Sequence, residues 1–133
     1  MSQYYKNEIK SSKELLESFK KEHIEPNIMV GQLYSLTSTC GFNKFNSSNS
    51  ASNTKVTLQV GSIVMITKIR IVDSIDYFNM GPALIISILY HSSSYHLFIF
   101  PNQISKSLSS PSAVKYSIPN NIFVNFDTLF AKI

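Results

Sequence analysis

The sequence predicts a mainly β fold: an N-terminal helix followed by a small antiparallel barrel. Three observations carry that prediction. Between Gly61 and Phe100 lie three runs rich in Ile, Val, Leu, Tyr and Phe (GSIVMITKIRIV, ALIISILYH and YHLFIF), punctuated by Gly, Asn, Pro and Ser as adjacent strands are. Ahead of them, a short one-sided apolar pattern of helical period ends at Pro26. The chain has 133 residues, 44% of them apolar, which suits one domain with a core of its own.

The elements follow in chain order. Ser11-Ser12-Lys13-Glu14 has the spacing of a capping box, with Ser11 as N-cap and Glu14 reaching back. Leu15, Leu16 and Phe19 give the apolar stripe, Glu17 and Lys21 stand at i,i+4, and Pro26 stops the pattern. The spacing predicts a helix from about Ser12 to His23 within a helical segment 1–26. So short a helix needs a surface to lie on, either the barrel or a partner. Ile28 to Thr37 reads as the first strand. Residues 38–53 (STCGFNKFNSSNSASN) are polar and lack an apolar period, so they read as a long loop. Within it Phe42 and Phe45 are either a contact arm or aromatics folded back on the core.

From Thr54 the alternation is clear: Val56, Leu58 and Val60 against Lys55, Thr57 and Gln59, then Ile63 and Met65 against Val64 and Ile66. Gly61-Ser62 between them suits a primed two-residue turn, because glycine supplies the positive φ. That hairpin would pair Val60 with Ile63, Leu58 with Met65 and Val56 with Thr67 on one face. Residues 73–82 are a connection. Ala83 to His91 and Tyr95 to Phe100 form a second hairpin across Ser92-Ser93-Ser94, apolar on both faces and so central. Residues 101–119 read as another long loop. Residues 122–133 combine strand alternation (Ile122, Val124, Phe126) with a helical spacing (Phe126, Leu129, Phe130, Ile133), which a strand ending in a helical turn satisfies. Residues 27–133 are thus one barrel domain.

Composition excludes several classes. Cys40 is alone, so no internal disulfide or cysteine-based zinc site is expected. The start is polar and charged, unlike a signal peptide. The longest apolar run, Ala83 to Tyr90, is interrupted by Ser87 and falls far below the roughly 20 residues of a membrane span. A cytoplasmic protein without membrane contact is expected. The net charge of +4 is unevenly placed: residues 1–25 carry five Lys and five Glu, residues 26–133 six Lys and one Arg against three Asp. The basic body permits an anionic partner, and the coding bias of an AT-rich genome explains the lysines as well.

Few constellations carry chemistry. His91 and His96 flank the second hairpin turn, and a four-residue loop would bring them face to face. Zinc wants three or four ligands, and strand-end histidines are commonly solvated, so neither a metal nor a cofactor is expected. Lys55 and Lys68 would face each other on the outside of the first hairpin, with Arg70 beyond. Such a cationic stripe can hold phosphate or nucleic acid, or it protects a strand edge from aggregation. Tyr90, Tyr95, Phe98 and Phe100 resemble a base-stacking platform, but no Lys or Arg lies between Arg70 and Lys106, and core packing accounts for them. No nucleotide, nucleophile-elbow or metalloprotease motif occurs, so an enzyme is not expected.

The order of Gly31-Gln32-Leu33-Tyr34, a variable segment, Gly61 to Met65 and two aliphatic strands resembles small SH3-like β-barrel proteins of the kind phages encode, over residues 30–100. The resemblance implies an SH3-like barrel; the proline-peptide groove is not carried over, since no acidic loop or paired Trp exists. Together these readings lead to a non-catalytic protein-interaction or assembly protein, viral if the resemblance holds, in host cytoplasm or virion. Its partner would be another protein or larger assembly, met by Phe42, Phe45, Phe126 and Phe130. The alternative is a nucleic-acid-binding barrel using Lys55, Lys68 and Arg70.

Overall fold

Ser11 opens the first helix as expected: its extended backbone caps α1 (Ser12–Phe19), and its Oγ accepts the Glu14 N–H at 3.2 Å. In a computed structural model, which describes residues 11–46, 49–73, 82–101, 104–106, 114–118 and 122–133, the helix continues as a π turn over Lys20–Ile24. There the Glu25 N–H donates to the Lys20 carbonyl. A π turn spaces a face by five residues, which carries Ile24 under Phe19. Leu16, Phe19 and Ile24 are all buried in the main core. The helix therefore lies on the body of the protein.

The first strand is shorter than expected. Val30-Gly31 makes a turn with Gly31 at φ +90°, so β1 is Leu33–Leu36. The supposed loop 38–53 is mostly strand: β2 (Cys40–Asn46) and β3 (Asn49–Leu58) pair antiparallel. β4 (Ile63–Val72), β5 (Ala83–Tyr90) and β6 (Ser93–Ile99) follow. Part of the supposed loop 101–119 is also strand, β7 (Ile104–Lys106) and β8 (Val114–Ile118), which form a three-stranded sheet with β9 (Ile122–Asn125). Chain end and expectation agree on a strand, then a helical turn, α2 (Phe126–Leu129). A further strand, β10 (Phe130–Lys132), pairs with β1.

The large sheet has the order β10-β1-β4-β5-β6-β2-β3. Its defining element is a long bent hairpin rather than the tight one expected at Gly61. Tyr34 faces Val64; six residues on, Cys40 faces Leu58, six residues back. The same register thus continues through a corner at residues 37–39 and 59–62. Bonds across the corner hold it: Gly61 N–H to Leu36 O at 2.7 Å, Leu36 N–H to Ser62 O at 2.9 Å and Val60 N–H to Thr39 Oγ1 at 3.2 Å. Gly61 has φ +91°, so glycine serves the corner as it would have served a turn. β3 and β4 are not neighbours, and the pairs Val60/Ile63, Leu58/Met65 and Val56/Thr67 do not form.

Because the two ends of the bent hairpin pair with β5 (through β4) and with β6 (through β2), the sheet curls into a half-barrel. Mainly β with an N-terminal helix is thus the architecture, and an SH3-like barrel matches it in outline. Inside lie Tyr34, Leu36, Phe42, Leu58, Val64, Ile66, Leu84, Ile86, Ile88, Leu97 and Ile99 with the helix residues. Phe126 joins them, edge-on to Phe19 at 5.2 Å between ring centroids. No helix among the described residues is long and apolar enough to cross a membrane.

Candidate binding surface

Three of the four expected contact aromatics are buried. Phe42 is 0% exposed, Phe126 2% and Phe130 6%. Phe42 points inward from β2, and Phe126 and Phe130 pack on each other and on the core. They hold the fold together, which removes them as partner contacts. The Phe45 side chain lies outside the described residues. The aromatics of the second hairpin divide in the same way: Tyr95 belongs to the main core, and Phe98 to a small cluster with Ala83 and Ile85 on the opposite face of the sheet.

The second hairpin turns through two residues, His91 and Ser92, both with positive φ, and Tyr90 faces Ser93. His91 therefore sits in the turn while His96 faces Ser87, so the two imidazoles do not oppose each other. Ser87 is buried, and its Oγ lies 2.9 Å from His96 Nδ1. Burial, and secondarily the charge of Arg70, lower the His96 pKa below 6.5. His96 is thus held neutral and oriented by a hydroxyl that is itself closed to solvent. Among the described residues no three His, Cys, Asp or Glu side chains come together.

Lys55 and Lys68 do not face each other either, since β5, β6 and β2 stand between their strands. The register instead places them at the two ends of one transverse row. Lys68 faces Ser87, Ser87 faces His96, His96 faces Asn43 and Asn43 faces Lys55. The row is on the outer face, because the residues beside it along each strand (Ile69, Ile86, Ile88, Leu97 and Phe42) pack in the interior. Arg70 stands two residues beyond Lys68, on the same face, exposed like Lys55 and Lys68.

A second outer surface was not anticipated. Leu33 faces Met65, and Met65 faces Leu89. Ile63 stands two residues from Met65, opposite Ser35, which is flanked on its other side by Ala131. Leu33 and Ile63 are each 50% exposed and Ile133, next to Lys132, 66%. These residues form an uncharged aliphatic face across β10, β1, β4 and β5. The sequence carries the signal, but a tight hairpin at Gly61 puts Ile63 and Met65 on the inner face. Four consecutive apolar residues, Ile63 to Ile66, supply an apolar side whichever parity faces the core. Comparisons of the chain with protein-family models, with curated proteins and with solved structures return no match.

Proposed function

We propose that this is a non-catalytic interaction protein that docks another protein chain on the outer aliphatic face of β10, β1, β4 and β5. One observation carries the reading: Leu33, Met65, Leu89 and Ile63 are adjacent across paired strands, with Leu33 and Ile63 half in solvent. Scattered surface aliphatics need no explanation, but a contiguous patch on the order of a few hundred Å² marks interaction sites. The patch contains no charged side chain, and Ser35 is its one polar member, so a partner with its own apolar surface meets little desolvation penalty there. Each exposed Leu or Ile it covers contributes roughly 1 kcal/mol, about half the value of full side-chain burial.

The test uses two variants, Leu33→Asp and Ile63→Asp. Both sites are half exposed, so the fold tolerates them. Sedimentation of the purified protein reads association with a second copy, and quantitative affinity capture with a defined prey reads a heterologous partner. Either association is expected to weaken at least tenfold in each variant. A complex that survives both substitutions unchanged overturns the proposal.

A further inference from the structure

We infer that the row Lys68–Ser87–His96–Asn43–Lys55, extended by Arg70, is a separate site that binds the phosphate backbone of a single-stranded nucleic acid. It is independent of the aliphatic face and shares no residue with it.

Edge protection explains Lys55, because β3 ends the sheet. It does not explain Lys68 or Arg70, because β4 lies inside the sheet between β1 and β5. A central strand has no free edge to protect. The strands of the large sheet carry Lys44, Lys55, Lys68, Arg70 and Lys132 and not one Asp or Glu. The nearest described carboxylate along β4 is Asp73, and Lys13 of α1 engages it at 3.3 Å. Among the described residues, Lys55, Lys68 and Arg70 thus have no carboxylate partner, and their charge is turned to solvent.

The geometry selects a linear anion. Along the curved sheet four strand spacings lie between Lys68 and Lys55, a path of roughly 19 Å at about 4.8 Å each, which several phosphates of a flexible strand cover. Between the cationic ends stand Asn43 and His96, with Ser87, closed to solvent, fixing the orientation of the His96 ring. Asn43 brings an amide that both donates and accepts, the pattern that reads base edges or sugar hydroxyls in unpaired strands. The row is one residue wide. It is bordered on one side by Arg70 and by the buried Ile85 and Phe98, and on the other by Met65, Leu89 and Ser94. It therefore offers a single cationic track, whereas a duplex presents two phosphate strands across a groove.

Three phosphates neutralised by Lys55, Lys68 and Arg70 give a salt slope of about −2 for a single strand, hence about a 20-fold loss of affinity between 50 and 200 mM salt. Fluorescence anisotropy with a labelled oligo-dT of about 20 nucleotides reads this directly. The double variant Lys68→Glu/Arg70→Glu is expected to abolish binding, and Lys55→Glu to weaken it at least tenfold and flatten the salt slope. Ile63→Asp should leave binding unchanged, which separates this site from the aliphatic face. Circular dichroism checks each variant, and Lys68→Gln/Arg70→Gln reads the same site should the reversal disturb folding. No binding at 50 mM salt overturns the inference, as does binding indifferent to these substitutions. A duplex of equal length binding as tightly overturns the single-strand assignment, and inorganic polyphosphate binding as tightly overturns the nucleic-acid one.

Discussion

Replacing Phe42 with alanine tests the part of the structure that departs most from the sequence reading. If residues 38–53 were a loop with an exposed aromatic, the substitution would change stability by no more than about 0.5 kcal/mol, as surface changes usually do. In the structure Phe42 faces Val56 across the β2–β3 ladder, is 0% exposed and is among the largest fully buried side chains. Truncating such a phenylalanine removes its transfer free energy and leaves a cavity, together about 3–5 kcal/mol. Set against a total of roughly 5–15 kcal/mol for a domain, that is a large share. With a urea slope of about 2 kcal/mol per molar, the midpoint falls by about 2 M. The chain has seven Tyr and no Trp, so tyrosine fluorescence and far-ultraviolet circular dichroism are the probes. A loss under about 1 kcal/mol with an unchanged slope would refute the placement of Phe42 in the core.

Three further outcomes are expected. Ser11→Ala removes the acceptor of the Glu14 N–H and should cost about 1 kcal/mol in thermal or urea unfolding. His91 and Ser92 occupy a turn at φ 49° and 65°, where L residues with side chains are strained; the double change to Asn-Gly, the pair this turn prefers, should raise stability by about 1 kcal/mol or more. His96 has a pKa below 6.5 in the folded state, so as pH falls through 6.5 the unfolded chain takes up a proton before the native one does. Stability is therefore full above about pH 7 and declines below 6.5 until the native ring itself protonates; His96→Asn should flatten that decline in urea titrations at successive pH values, and an identical profile would refute it.

The parts legible in the sequence are those where one local rule decides. Ser11 caps because Ser is followed three residues later by Glu14 ahead of an apolar stripe, and Ala83 to Ile99 is central because both faces are apolar. The Gly61 segment was not decidable locally. A tight hairpin and a continuous strand through a corner both need alternation and a positive-φ glycine. They differ in whether Leu58 shares its face with Met65 or with Val64, and Ile63 to Ile66 are all apolar. The structure chooses Val64, because the register of β1 with β4 runs on into β2 with β3. Residues 38–53 hide their strands for the opposite reason. Their inward positions, Cys40 and Phe42, are few, and Ser and Asn elsewhere hide a strand whose partners, β3 and β6, are remote in character or in sequence. Both effects bear on the candidate site: alternation puts Lys55, Lys68 and Arg70 on an outer face, but their neighbours depend on a strand order that only long-range pairing sets.

One residue separates the two outer surfaces. Along β4 the even positions Val64 and Ile66 face inward, and Ile63 and Met65 face out. Continued without interruption, that parity would bury Lys68 and Arg70 and expose Ile69 and Ile71. An unpaired lysine and arginine in the interior would cost several kcal/mol each. The register shift between Ile66 and Lys68 prevents it: Ile66 faces Ile88 while Lys68 already faces Ser87, so Thr67 is the extra residue of a β-bulge. Beyond it the odd residues Ile69 and Ile71 pack against the core, and the cations stand outside. The bulge thus ends the aliphatic face and begins the cationic row, and the alternation MITKIRI changes phase at the residue where the sheet needs it to.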